Sequence, residues 1–102
     1  MIHVIATIRT APGRRADFLA AFRELVPQVK AEAGCIEYGP TVDVASGLGP
    51  QPAVRDDVVT VVEKWQDLEA LKSHLAAPHM SQFREQAKDL LAGLEIQVLA
   101  PA

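Results

Sequence analysis

Cysteine is nearly absent: Cys35 is the only one. A single thiol cannot form an intrachain disulfide, so nothing points to an oxidising compartment, and cytoplasmic is the expected location. Aromatics are also scarce, at three Phe, one Trp and one Tyr. No apolar run approaches the roughly 18 residues of a membrane span. The opening MIHVIATIRT has no basic flank and no small-residue cleavage site, and is read as part of the fold rather than a signal peptide. Basic residues are few and scattered, and the net charge is −3, so neither nucleic acid nor a membrane is an expected partner.

What remains is one small domain, residues 1–102, of which 49% is hydrophobic. Residues 2–9 alternate apolar and polar in steps of two, the period of a strand, and Pro12-Gly13 turns the chain. From Arg14 to Ala33 the period becomes helical, with Phe18, Phe22, Leu25 and Val29 on one side. Pro27 predicts a kink there, or an early end and restart, and Gly34 a C-terminal stop. Cys35–Val44 reads as a second strand, with Gly39-Pro40 implying a bulge or an edge position. The Gly- and Pro-rich stretch Ala45–Ala53 is a loop.

Asp57–Gln66 is the clearest strand. Asp67 caps a helix over Leu68–Ala77, whose inner stripe would be Leu68, Leu71 and Leu75. Pro78 breaks it, and a further helix follows with Met80, Phe83, Ala87 and Leu90 inward, stopped by Gly93. Leu94–Leu99 is the last strand. The order β-α-β-β-α-α-β is that of a ferredoxin-like α+β layer with an antiparallel sheet. Strand 57–66 is apolar on both sides, so pairing of two copies sheet to sheet, as a twofold dimer, is expected.

Within that strand Glu63 shares a face with Val59, Val61 and Trp65. A carboxylate buried there either pairs with a cation or has its pKa raised by desolvation. The first alternative makes it a strand-end ion pair, the second a site residue. His74 lies at the border of a buried face, where a lone histidine is more often a structural residue than a base. His79 falls in the first turn of a helix, where imidazolium is disfavoured. The histidines lack a zinc-binding spacing, and no metal is expected; a nucleotide-binding glycine motif and a nucleophile elbow are likewise missing.

The run Val62-Glu63-Lys64-Trp65-Gln66-Asp67-Leu68-Glu69-Ala70-Leu71, then His74-Leu75 and Pro78-His79-Met80, resembles the signature segment of the antibiotic biosynthesis monooxygenase family. Ile8–Gly13 and Ala33–Tyr38 match it too, and the likeness is greatest to the quinol monooxygenase branch. The resemblance implies a homodimeric α+β barrel with one pocket per subunit, between sheet and helices. It implies oxygenation or oxidation of a small quinol or phenolic aromatic by O₂, with no flavin, haem or metal. The related haem-degrading branch uses an Asn, a Trp and a His at positions occupied here by Ala6, His74 and Arg84, which disfavours that activity.

In such a pocket His74 would take the phenolic proton, with Glu63 orienting or charging it. Trp65 and Phe83 would stack the ring, His79 and Met80 would line the entrance, and Tyr38 would bond a substrate oxygen. Two other functions fit the same fold. One is a non-catalytic ligand-binding or stress-response dimer. The other is a cofactorless isomerase of a small dicarbonyl, which lacks a basic cluster for the phosphate such substrates often carry.

Overall fold

A computed structural model describes all residues, 1–102. In chain order the elements are β1 (Ile2–Thr10), α1 (Arg15–Lys30), β2 (Cys35–Thr41), β3 (Val58–Trp65), α2 (Leu68–Leu75), α3 (Pro78–Ala87), a 3₁₀ turn (Lys88–Leu90) and β4 (Leu91–Leu99). The strands form one antiparallel sheet in the order β2-β3-β1-β4, the ferredoxin-like arrangement expected from the sequence. Registers Ala6 to Val61, Ala6 to Ile96 and Tyr38 to Glu63 bring one face of every strand under the helices.

That face holds the core. Val4, Ala6 and Ile8 of β1, Val59, Val61 and Trp65 of β3, and Tyr38 of β2 meet Phe18, Phe22, Leu25 and Val29 of α1. Phe18, Phe22, Tyr38 and Phe83 pack ring to ring, with centroids 5.5 to 5.8 Å apart. Each such pair contributes about 0.5–1.5 kcal/mol beyond its burial.

Four local readings are corrected. First, Pro27 does not end α1 early or make it restart: the helix runs unbroken to Lys30. Pro27 lies in the last turn, so its missing N–H costs one bond near an end that frays anyway. Gly34, with φ +83°, lies beyond that end in the turn to β2. A Cβ on it would stand 2.6 Å from that of Ala70, so Gly34 lets α2 approach.

Second, β2 ends at Thr41 instead of Val44; of the two alternatives implied by Gly39-Pro40 the edge position holds, and the irregularity falls between Cys35 and Glu37. Third, the leucine stripe of α2 is not its inner face. Leu68 and Leu75 are exposed, and the buried residues are Leu71 and His74. With only eight residues, this helix touches the core over about one turn, closed at its start by Asp67, which accepts from the Ala70 N–H at 2.8 Å. Fourth, Gly93 does not stop a helix but lies inside β4, where a Cβ would meet the Arg9 guanidinium.

The segment between β2 and β3 is held by its own contacts. Arg55 grips Asp43 with Nε and Nη2, at 2.9 and 3.0 Å, and Gln51 donates to the Val44 carbonyl. These bonds hold the Asp43 carboxyl down at about 2. Val44 and Leu48 are left exposed. So is the row Leu94, Ile96 and Val98 on β4, which faces the helix side of the sheet where no helix reaches. No helix of the chain is long and apolar enough to cross a membrane.

Candidate active site

β3 alternates from Val59 onward, so Val59, Val61, Glu63 and Trp65 all point under the helices. Glu63 is only 5% exposed, and its Oε1 accepts from the Trp65 indole N–H at 2.9 Å. α2 delivers His74 onto the same spot, 2% exposed, its ring 4.6 Å from that of Trp65 and 5.3 Å from that of Tyr38.

The charged partner of His74 is Glu32, from the turn after α1. Nδ1 of His74 lies 2.9 Å from Oε2 and 3.2 Å from Oε1 of Glu32, and Nε2 of His79 lies 2.7 Å from the same Oε2. A carboxylate only accepts, so both rings donate. No hydrogen bond joins Glu63 to His74, contrary to the expectation that Glu63 would orient or charge that ring; the carboxylate that bonds the imidazole is that of Glu32.

Between these groups, the helices and β4 lies a cavity of about 90 Å³, lined mostly by apolar side chains. Phe18, Phe22, Met80 and Phe83 form its walls; Tyr38, Glu63, His74 and Arg84 are its polar members; Leu75, Leu94 and Ile96 form an exposed rim. Oε2 of Glu63 and Nε2 of His74 have no protein partner, yet no fully buried side-chain nitrogen or oxygen in the molecule lacks one. Both atoms therefore border open space, and the cavity is the space their residues line. Tyr38 Oη is likewise unpaired.

Burial sets the protonation of the three. It lifts Glu63 to about 7, against the pull of the Trp65 hydrogen bond and helped by the negative charge of Glu32. It pushes His74 below its ordinary value, more than the Glu32 bond raises it, which keeps the ring neutral at physiological pH. Burial also raises the Tyr38 phenol, with Glu63 and Glu32 adding to the effect, so Tyr38 stays protonated. The hollow thus offers a neutral imidazole nitrogen as acceptor, a phenol as donor, and a carboxyl poised between the two roles.

Of the residues singled out in the sequence, Tyr38, Glu63, His74, Met80 and Phe83 converge on this cavity. Two do not. Trp65 is fully buried behind His74 and does not line the hollow, so it holds Glu63 and backs the imidazole instead of stacking a ligand. His79 lines a separate surface depression between α1 and α3 and is not at the cavity entrance. Glu32 was missed: it sits in an irregular turn with no periodicity, 42 residues from His74, and only the fold joins them. Burial and the neighbouring carboxylates Glu32 and Glu63 raise the Cys35 thiol pKa, which disfavours a thiolate there. No cluster of three or more His, Cys, Asp or Glu has metal-binding geometry.

Comparison with known proteins agrees with this architecture. The family model for antibiotic biosynthesis monooxygenase matches residues 1–86, which leaves β4 outside. The Escherichia coli K12 protein named Probable quinol monooxygenase YgiN is 39% identical over 103 residues, 99% of this chain and 98% of that one. Among solved structures, PA3566 from Pseudomonas aeruginosa superposes with a TM-score of 0.80 at 29% identity, covering 99% of this chain and 93% of that one. Rv0793 from Mycobacterium tuberculosis gives 0.77 at 26%, covering 99% and 94%. The chain belongs to the antibiotic biosynthesis monooxygenase family.

Proposed function

We propose that the chain is a cofactor-independent monooxygenase of a small quinol or phenol, with O₂ as the second substrate. The observation that carries this reading is the apolar hollow in which Nε2 of a neutral, buried His74 has no protein partner. The family and the likeness to YgiN support a monooxygenase role.

A phenolic hydroxyl titrates near ~10, as tyrosine does, and is a poor reductant of O₂ until it loses its proton. His74 Nε2 takes that proton, Tyr38 donates to a substrate oxygen, and Phe83 and Met80 hold the ring. The quinolate then gives one electron to O₂. The resulting radical pair joins carbon to oxygen as a peroxide, and loss of water leaves a hydroxylated quinone. Per turnover one atom of O₂ enters the product and the other leaves as water, with both hydrogens of the water coming from the substrate. The substrate is its own reductant, so the reading calls for no flavin, haem or metal.

At about 90 Å³ the hollow is smaller than the roughly 150 Å³ of a cavity that holds benzene. A ring therefore enters by displacing Leu75, the exposed rim side chain that lies outside the β4 row. The bare β4 row supports a homodimer, because a contiguous apolar surface of this kind marks an interaction site. Oxygen uptake with a panel of reduced quinones tests the activity. His74→Ala is expected to lower turnover by about 10²–10⁴-fold; an unchanged rate removes His74 from the mechanism.

A further inference from the structure

His74 carries the proposed chemistry, but it is held from behind. Its Nδ1 donates into Glu32, which is itself only 14% exposed, and the same carboxylate oxygen accepts from His79. An imidazole whose Nδ1 carries the proton must present a bare lone pair at Nε2 when neutral. Nε2 is the atom that borders the cavity. The second donor matters as well: with His79 at 2.7 Å, Oε2 has two fixed partners, one from α2 and one from α3. The carboxylate cannot rotate away without breaking both bonds.

We propose that Glu32, locked in place by His79, is the positioning residue of this site: it fixes His74 as the Nδ1–H tautomer and pairs with the imidazolium that forms when Nε2 takes a substrate proton. The role rests on the monooxygenase reading for its kinetic consequence, but the tautomer does not. In the reaction the substrate O–H bond breaks and an Nε2–H bond forms. The Nδ1–H stays on the ring facing Glu32, and the positive charge sits against the carboxylate. When the peroxide decomposes, Nε2 returns its proton to the departing oxygen, and His74 regains its starting form.

The surroundings of His74 give this assignment its force. Tyr38 comes from β2, Glu63 from β3, His79 and Arg84 from α3, and Glu32 from the turn after α1. Only Glu32 bonds the imidazole. Its hydrogen bond and its charge raise the affinity of His74 for a proton, whereas burial, His79 and Arg84 lower it. Removing the carboxylate leaves the lowering influences unopposed, so the ring becomes a weaker base.

Two measurements decide the matter. Long-range ¹H–¹⁵N spectra of the wild-type protein without ligand are expected to show a pyrrole-like Nδ1 and a pyridine-like Nε2 for His74. The reverse tautomer overturns the proposal, whether or not any quinol is ever turned over. Glu32→Gln keeps the size of the side chain and an acceptor for His74 but loses the charge. It is expected to lower kcat by about 10- to 100-fold, as loss of a partner orienting a functional imidazole does, with KM within about twofold. The acidic limb of the kcat/KM profile should move to lower pH. A purely structural Glu32 would leave that limb in place, and an unmoved limb overturns the role. If no quinol is consumed by the wild type, the monooxygenase reading falls while the tautomer still decides what Glu32 does.

Discussion

Glu63→Gln tests the electrostatics of the site through stability alone. The carboxyl rises from its ordinary 4.5 to about 7 because it is buried. At about 1.4 kcal/mol per pH unit, that rise corresponds to about 3 kcal/mol. Below pH 4.5 both folded and unfolded chains hold the proton, and Glu63 costs nothing. Between 4.5 and about 7 the unfolded chain has released its proton while the folded one keeps it, so stability falls as pH rises. Above about 7 the folded chain carries a buried carboxylate and the full cost is felt. The glutamine retains an acceptor for the Trp65 indole N–H and never ionises. Urea unfolding followed by Trp65 fluorescence, at a series of pH values from 4 to 8.5, is the assay. His74 runs the opposite way, losing stability as pH falls below 6.5 because its folded pKa is lowered. It is present in both proteins and cancels in the difference. Glu63→Gln is expected to match the wild type near pH 4.5 and to be more stable by about 3 kcal/mol above pH 7.5. Parallel pH curves for the two proteins would refute a raised Glu63 pKa and, with it, the dry character of the cavity.

Gly34→Ala places a Cβ at φ +83° and 2.6 Å from Ala70, and should destabilise by about 1–3 kcal/mol in urea titration. Leu75→Ala opens the rim and should speed ligand entry, read as a severalfold larger kcat/KM for bulky quinols with little change for small ones. Val98→Lys charges the bare β4 row without touching the cavity lining. It should turn a dimer into a monomer in sedimentation velocity, and a wild type that already sediments as a monomer would refute the proposed pairing.

The strand faces were legible in the sequence because burial on a sheet repeats every two residues: Glu63 and Trp65 point where their alternation with Val59 and Val61 places them. The long helix was legible for the same reason at its own period. Pro27 misled because a proline rule for helix interiors was applied to a last turn. The leucines of α2 misled because an eight-residue helix at the rim buries a single patch, and His74 with Leu71 fills it. Hydrophobicity ranks His74 below Leu75, whereas packing against Trp65 and Tyr38 together with the Glu32 bond puts the histidine inside. Glu32 had no local signal at all, since a bond spanning 42 residues exists only once α1, α2 and α3 meet over the sheet. The cavity was foreseen in kind, but the part β4 plays in its rim was not, because alternation says which side of a strand faces the helices and not whether a helix is there to cover it.

Turnover under ¹⁸O₂ with a reduced quinone, read by mass spectrometry, addresses the central claim most directly. The expected product carries one heavy oxygen per molecule of O₂ consumed, the other appears in water, and His74→Ala forms the labelled product at least about 100-fold more slowly. Heavy oxygen missing from the product, or incorporated equally fast without His74, would contradict it.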